Sequence, residues 1–545
     1  MTTRAASLLI VRARLWTDGA SVPGESAVAL AGGRILACGP GAELESRCGP
    51  DVPRMDARGG TVTPALCDAH LHLLPWARAR AELDLAGTKS ALDASRRLSE
   101  HLAHHAGSEP VVGRGWDAND WDEPPHRALL DALAPSRPVV LHSRDFHALW
   151  VNGAALAAAG ITRASRDPAG GLIVRGPGGE PTGVVRENAV RAFHALEERA
   201  AASAGDPIER LADAAAALHA RGVTAVHDFE RGEAAFSLME RFARGGGPRG
   251  DRVRVVQCVD PDDLARVAAL GMKSGQGDDA FRVGCVKLFA DGTLGSRTAA
   301  MLEPYEGTGE RGLDVLTPDD LDERLTRARA AGFAVAIHAI GDRACRHALD
   351  AFERQRARAV GAPPALASRI EHAQLVAPSD LGRFAALGIA ASVQPLHSTS
   401  DAPLARRYWG DRCRYSYPWR ALLDAGAALV FGSDAPVEPP DAAAALRAAC
   451  TRLTPAGEAF EPAQCVTLDE ALRAHTEGGA RLAGTWPRLG SLRAGSLADL
   501  VIWDRDLHRT PAARLHEARP SCTFADGIVV HPRGTAEARR TDPGP

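Results

Sequence analysis

From residue 206 onward, apolar β-branched runs of strand length alternate with Ala/Leu/Arg-rich stretches of helical spacing. This alternation constrains the fold more than any other feature of the chain. Strands that each lead into a helix pair in parallel and bury both faces, so they read as near-continuous apolar runs. The expected strands are Val223–Phe229, Val253–Val259, Val283–Phe289, Phe333–His338, Arg369–His372, Ile389–Gln394 and Ala428–Ser433. Thr61–Cys67 supplies an eighth. Helical stretches such as Ile208–Ala220, Pro318–Ala331, Arg343–Arg358 and Ala442–Arg452 fall between them, and Thr317-Pro318 is an N-cap followed by proline at the first helical position. Eight such repeats predict an α/β fold, a (β/α)8 TIM-type barrel. The alternative, a doubly wound open sheet, lacks the phosphate-binding glycine loop that would support it.

Two departures from the repeat define further domains. Residues 75–205 interrupt it after the first strand and carry Trp116, Trp121, Phe146, His147 and Trp150, so an inserted lid domain over the barrel mouth is expected. Residues 1–60 and 487–531 hold short strands and turns and are expected to join in one composite β-sandwich. The barrel then comprises 61–74 and 206–486, and residues 532–545, rich in Arg, Pro and Gly, read as a disordered tail.

Composition excludes several classes. Net charge is 64 minus 68, or −4, and no basic run or RNA-type aromatic motif occurs, so nucleic acid is not an expected partner. No apolar run of the roughly 18 residues that a membrane helix needs is present. The short N-terminal run Leu8–Val11 reads as a strand, not a signal peptide. The ten cysteines are scattered without a Cys-x-x-Cys pair and read as free thiols in a reducing cytoplasm.

The chemistry concentrates at the ends of the expected strands, where barrel enzymes build their sites. His70 and His72 lie two apart and point to the same side of an extended strand. His338, His372 and Asp434 close the fifth, sixth and eighth strands. Neutral imidazole and carboxylate are common ligands of divalent metals. Only Lys89, Lys273 and Lys287 are lysines among 64 basic residues, and Lys287 alone sits in an apolar run. Burial can hold lysine as a neutral amine; an ion pair with Asp291 is the alternative.

The segments Asp68-Ala-His-Leu-His, Lys287-Leu-Phe-Ala-Asp-Gly-Thr-Leu-Gly-Ser-Arg-Thr, His338-Ala-Ile-Gly-Asp, Glu371-His-Ala-Gln and Gly432-Ser-Asp-Ala-Pro resemble the amidohydrolase superfamily. Within it they resemble the amidohydrolase-3 branch, which includes N-substituted formamide deformylase-like hydrolases. The resemblance runs nearly end to end, through Ser392-Val-Gln-Pro and the closing Gly495-Ser-Leu-Ala-Asp-Leu-Val-Ile-Trp. One departure is Pro64-Ala65, where the family carries Pro-Gly before the first ligands. The resemblance implies a binuclear site, most often zinc. His70, His72 and Asp434 would hold one metal, His338 and His372 the other, and a carboxylated Lys287 would bridge them. No organic cofactor is implied.

The expected activity is hydrolysis of a non-peptide C–N bond by a metal-activated hydroxide, with Asp434 moving the proton. Trp116, His147, Arg297 and His397 are candidate substrate contacts. His397 and His227 lie near expected strand ends, where each could contact the developing oxyanion or simply pack beside the site; for His227 packing is the expected role. The insert's tryptophans, together with Trp409, Tyr415, Tyr417 and Trp419, point to an apolar or aromatic small substrate if they face the mouth. Two other classes are carried: a non-hydrolytic lyase or isomerase on the same barrel, and a metal-containing binding protein without turnover. A small molecule is the expected partner, with a homodimer as the assembly and no membrane.

Overall fold

The computed structural model describes residues 6–105, 107–144, 146–168, 170–203, 205–247, 250–358 and 363–532. All but the first residue of the expected tail lie outside them. The chain divides into two compact units, one spanning Leu74–Arg210 and the other formed by the chain on either side of it.

The larger unit is built on eight parallel strands in sequential order. They are β1 (Leu66–Leu71), β2 (Val223–Asp228), β3 (Arg254–Val259), β4 (Phe281–Phe289), β5 (Val335–Ala339), β6 (Arg369–His372), β7 (Ala390–Val393) and β8 (Leu429–Phe431). Each pairs in parallel with its neighbour from β1 to β8. The sheet nearly closes: beyond the end of β8, the N–H groups of Ser433 and Asp434 donate to the His70 carbonyl at 3.2 and 2.6 Å, and the His72 N–H donates to Ala435. Gly432 permits this approach, because a Cβ there would lie 2.5 Å from the His70 nitrogen. Thr317 caps the helix Pro318–Ala330 with a reciprocal capping box through Asp320.

Both chain ends contribute to one further sheet, in the order Ile528–His531, Pro520–Ala525, Leu500–Trp503, Thr61–Pro64, Leu8–Thr17, Ser26–Ala31, Arg34–Pro40. Ile10, Val28, Val62, Leu500, Ile502 and Phe524 form its buried core. One strand differs from expectation. Thr61–Pro64 belongs to this terminal sheet, paired with Leu500–Ile502 and Arg14–Leu15, and the first barrel strand starts only at Leu66. The run from Thr61 to Leu71 is thus two strands separated at Ala65. Buried Asp499 ties the sheet to the barrel, taking Arg254 at 2.9 and 2.8 Å and the Thr224 hydroxyl at 3.0 Å.

The Leu74–Arg210 unit has its own six-stranded mixed sheet, from Gly171–Arg175 at one edge to Leu83–Asp84 at the other. Its core packs Leu98, Leu130 and Leu141 with Trp116, Trp121 and Trp150. Among the described residues no helix is long and apolar enough to cross a membrane. All ten cysteines are free thiols.

Candidate metal centre

The strand ends of the barrel bring His70, His72, Lys287, His338, His372 and Asp434 into one cluster. His70 lies within β1 and is 1% exposed. Its ring centroid stands 5.0 Å from His372 and 6.0 Å from His72, and His338 lies 4.6 Å from His372. The Nε2 atoms of His70 and His72 reach Asp434 Oδ1 at 3.4 and 3.7 Å.

Each inner imidazole has its outward nitrogen committed. His70 Nδ1 donates to Glu371 Oε2 at 2.6 Å. His372 Nδ1 donates to Gln394 Oε1 at 2.8 Å. His338 Nε2 donates to the Gly292 carbonyl at 3.1 Å. These bonds fix the tautomers and leave His70 Nε2, His372 Nε2 and His338 Nδ1 as acceptors, the form a metal requires. Burial first, then neighbouring cations, push His70 and His372 well below the ordinary histidine pKa, so both are neutral. Burial also works against charge on His72, but Glu230 and Asp434 outweigh it and hold that imidazole above its usual value.

Local backbone shape explains how the donors converge. On a regular strand Glu371 and His372 would point to opposite sides. His372 has φ 72°, and that left-handed turn lets both residues meet His70. Ala373 at 41° and Asp434 at 62° are also left-handed. Such conformations cost on the order of 1–3 kcal/mol each and persist where the surroundings enforce them. Asp68 supports the same junction, its Oδ1 accepting from the N–H groups of Ser433 at 2.9 Å and His70 at 3.2 Å.

Lys287 is 1% exposed on β4. Its Nζ lies 4.5 Å from the Phe229 ring centre and 5.1 Å from that of Phe289. Burial lowers its pKa to about 8, against the pull of Glu371 and Asp434. The alternative partner Asp291 is engaged by backbone amides of Ala300, Ile340 and Gly341, and burial raises its carboxyl to about 7.

The donor set fits a divalent cation. Among the described residues, two groups place one ligand atom each within 4.8 Å of the others: His70, His72 and Asp434, and His372, His397 and Asp434. His338 belongs to neither triplet, although its ring adjoins His372. His397 therefore comes closer to the cluster than its expected place as a substrate contact required.

The remaining candidates are dispersed. His227 is bonded to Arg369 at 3.2 Å, and its pKa falls to about 3 through burial and that guanidinium. Arg297 is 41% exposed and pairs with Glu310 at 3.7 Å. In the other unit, Trp116 is in the core with its indole N–H given to the Leu141 carbonyl, and His147 meets Glu187 at 2.9 Å. Of the four aromatic residues after the seventh strand, three lie in the core. Trp409, Tyr417 and Trp419 are buried, and the Tyr417 and Trp419 rings surround the fully buried Arg452, whose guanidinium lies 4.7 Å from Trp419. The sequence reading missed Glu371, Gln394 and Glu230 as orienting partners. Glu371 and Gln394 offered one signal: each lies at the end of an expected strand, in Glu371-His372 and Gln394-Pro395.

Comparison with known proteins gives the class. The family model described as "Amidohydrolase family" matches residues 54–531. The chain is 32% identical over 545 residues to Protein LONG AFTER FAR-RED 3 of Arabidopsis thaliana, covering 97% of this chain and 92% of that one. It is 30% identical to the N-substituted formamide deformylase of Arthrobacter pascens, covering 97% of this chain and 99% of that one. An uncharacterized metal-dependent hydrolase from Pyrococcus horikoshii superposes with TM-score 0.74 at 27% identity, over 93% of this chain and 99% of that one. The chain belongs to the amidohydrolase family and is an amidohydrolase.

Proposed function

We propose that this chain is a metal-dependent hydrolase of a non-peptide C–N bond in a small amide with an apolar or aromatic substituent. The observation that carries this is the set of imidazoles with committed outer nitrogens, gathered around Asp434. The family membership and the relative named N-substituted formamide deformylase support it. So does the half-buried Phe289, whose ring lies 5.2 Å from His338.

His70, His72 and Asp434 would hold one divalent cation, His338 and His372 a second, with zinc the simplest choice for this donor set. Bound there, the cations polarise the scissile carbonyl and lower the pKa of water. Burial raises the Asp434 carboxyl above its ordinary value, which suits it to take a proton from the attacking water and pass it to the leaving nitrogen. A neutral Lys287 amine can add carbon dioxide: its nitrogen lone pair forms the N–C bond, one proton leaves to solvent, and an anionic carbamate results. That anion would bridge two cations, which an amine cannot do. In the same reading the Leu74–Arg210 unit acts as a lid, the terminal strands pack as a sandwich, and the protein works in the cytoplasm, where its free thiols stay reduced.

The test is a screen of zinc-loaded protein against N-formyl, N-acyl, hydrazide and cyclic-amide compounds, followed by mass spectrometry. The expected product pair is an amine and a carboxylic acid with one water added. Turnover without addition of water would place the chain among lyases or isomerases. No turnover on any panel member, with zinc bound, would refute the reading.

A further inference from the structure

His397 sits in the short helix Pro395–Ser400 that follows β7, and it is 6% exposed. Its ring lies parallel to that of His372, at 8° and 5.9 Å between centroids. Its two nitrogens differ. Nδ1 stands 3.4 Å from the Gln374 side-chain nitrogen, an amide that can only donate. The nitrogen that accepts this bond carries no hydrogen, so the ring proton sits on Nε2. Nε2 is buried and has no hydrogen-bond partner. Asp434 Oδ2 lies 3.9 Å away, beyond hydrogen-bond reach. A buried N–H donor without an acceptor is costly and rare in folded proteins. This one sits at the edge of the carboxylate that also meets His70 and His72.

Resting on the hydrolase reading above, we propose that His397 is a catalytic hydrogen-bond donor whose Nε2–H meets the substrate oxygen on which negative charge develops. Attack on an amide carbonyl moves the π electrons onto that oxygen. A fixed donor beside it in a water-poor site stabilises the tetrahedral state more than the planar amide. The assignment separates His397 from the ligands: a protonated Nε2 cannot coordinate a cation. The Gln374 amide decides this. Turned end for end, its oxygen would accept from Nδ1–H, and Nε2 would become a lone-pair donor within the His372–His397–Asp434 triplet.

The experiment compares His397→Phe and His397→Gln with the parent full-length protein. It reads zinc content, binding of methylphosphonate (a tetrahedral oxyanion) to zinc-loaded protein, and steady-state kinetics on any substrate found in the panel. His397→Phe should keep the parent zinc content, weaken methylphosphonate binding at least about tenfold, and lower kcat about 10²- to 10³-fold with little change in KM, the scale of losing one oxyanion donor. His397→Gln restores an N–H at similar reach and should recover about tenfold or more of both losses. A zinc content that falls with either substitution overturns the proposal in favour of a ligand role. So does unaltered methylphosphonate binding in His397→Phe, its absence in the parent, or no recovery in His397→Gln. If His397→Phe does not fold, the zinc content and kcat of His397→Gln decide the same question: loss of zinc, or a kcat as low as that of an unloaded protein, overturns it. The zinc and phosphonate readings do not depend on the substrate, so failure of the amide screen is distinct from failure of this assignment.

Discussion

Replacing Glu371 by glutamine should separate the stability of the centre from its affinity for metal. Glu371 is fully buried, with Oε2 against His70 Nδ1 and Oε1 against Arg369 Nε, both at 2.6 Å. Arg369 is 2% exposed, so Glu371→Gln leaves a buried guanidinium without its counter-charge. Removing one partner of a buried pair costs about 3–5 kcal/mol. The same change weakens the acceptor that orients His70 and raises its basicity. Loss of such a support reduces metal affinity about 10- to 100-fold. At about 1.4 kcal/mol per factor of ten, that is about 1.4–2.8 kcal/mol of binding free energy. Urea denaturation of metal-free protein reads the first effect, and zinc competition against a chelator reads the second. The double substitution Glu371→Gln with Arg369→Met removes both charges. It should recover most of the stability, since apolar replacement of a whole buried pair is often neutral. It should not recover zinc affinity. Zinc affinity within twofold of the parent in Glu371→Gln would refute the claim that this carboxylate orients His70.

Lys287 sets a pH dependence for the metal-free protein. Its pKa falls from 10.5 to about 8 in the fold, so charging it opposes folding below that range, and stability is gained as pH rises from about 8 to 10.5. The full span is at most about 3 kcal/mol; buried thiols such as Cys67 and Cys258, whose pKa values are raised, act in the opposite sense. The quantity to read is therefore the difference between parent and Lys287→Met in urea midpoints, which should change across that window; a constant difference would refute it. Asp68→Ala should cost about 2–6 kcal/mol by stranding the amides of His70 and Ser433, whereas Asp68→Asn, which keeps an acceptor oxygen, should cost far less; calorimetric unfolding tests both. Asp499→Ala should cost about 3–5 kcal/mol in the same assay by leaving Arg254 with only the half-exposed Asp526.

The barrel was legible because its parallel strands are buried on both faces, and Val223–Asp228 and Phe281–Phe289 are largely apolar runs while Arg369–His372 ends in a histidine. Strand one was misplaced because Thr61–Pro64 and Leu66–Leu71 are both buried and follow one another with only Ala65 between them, and only pairing with Leu500–Ile502 divides them. The candidate ligands were visible through their residue types and their places at strand ends. Their supports were not. Glu371 beside His372 would face away on a regular strand, and the positive φ at His372 that turns them together has no signature such as glycine. The place of the aromatic residues was not legible, because hydrophobicity does not distinguish a mouth from a core. Trp116, Trp121 and Trp150 pack on one another, and Trp419 covers Arg452.

The central claim is that the imidazole cluster around Asp434 is a metal centre. A crystal structure of zinc-loaded protein, with anomalous data on both sides of the zinc edge, tests it most directly. The account predicts a zinc peak at coordination distance from His70 Nε2, His72 Nε2 and the Asp434 carboxylate. It predicts a second peak against His338 Nδ1 and His372 Nε2, with density extending beyond Lys287 Nζ between the two. Zinc-loaded crystals with no anomalous peak at these residues would contradict it.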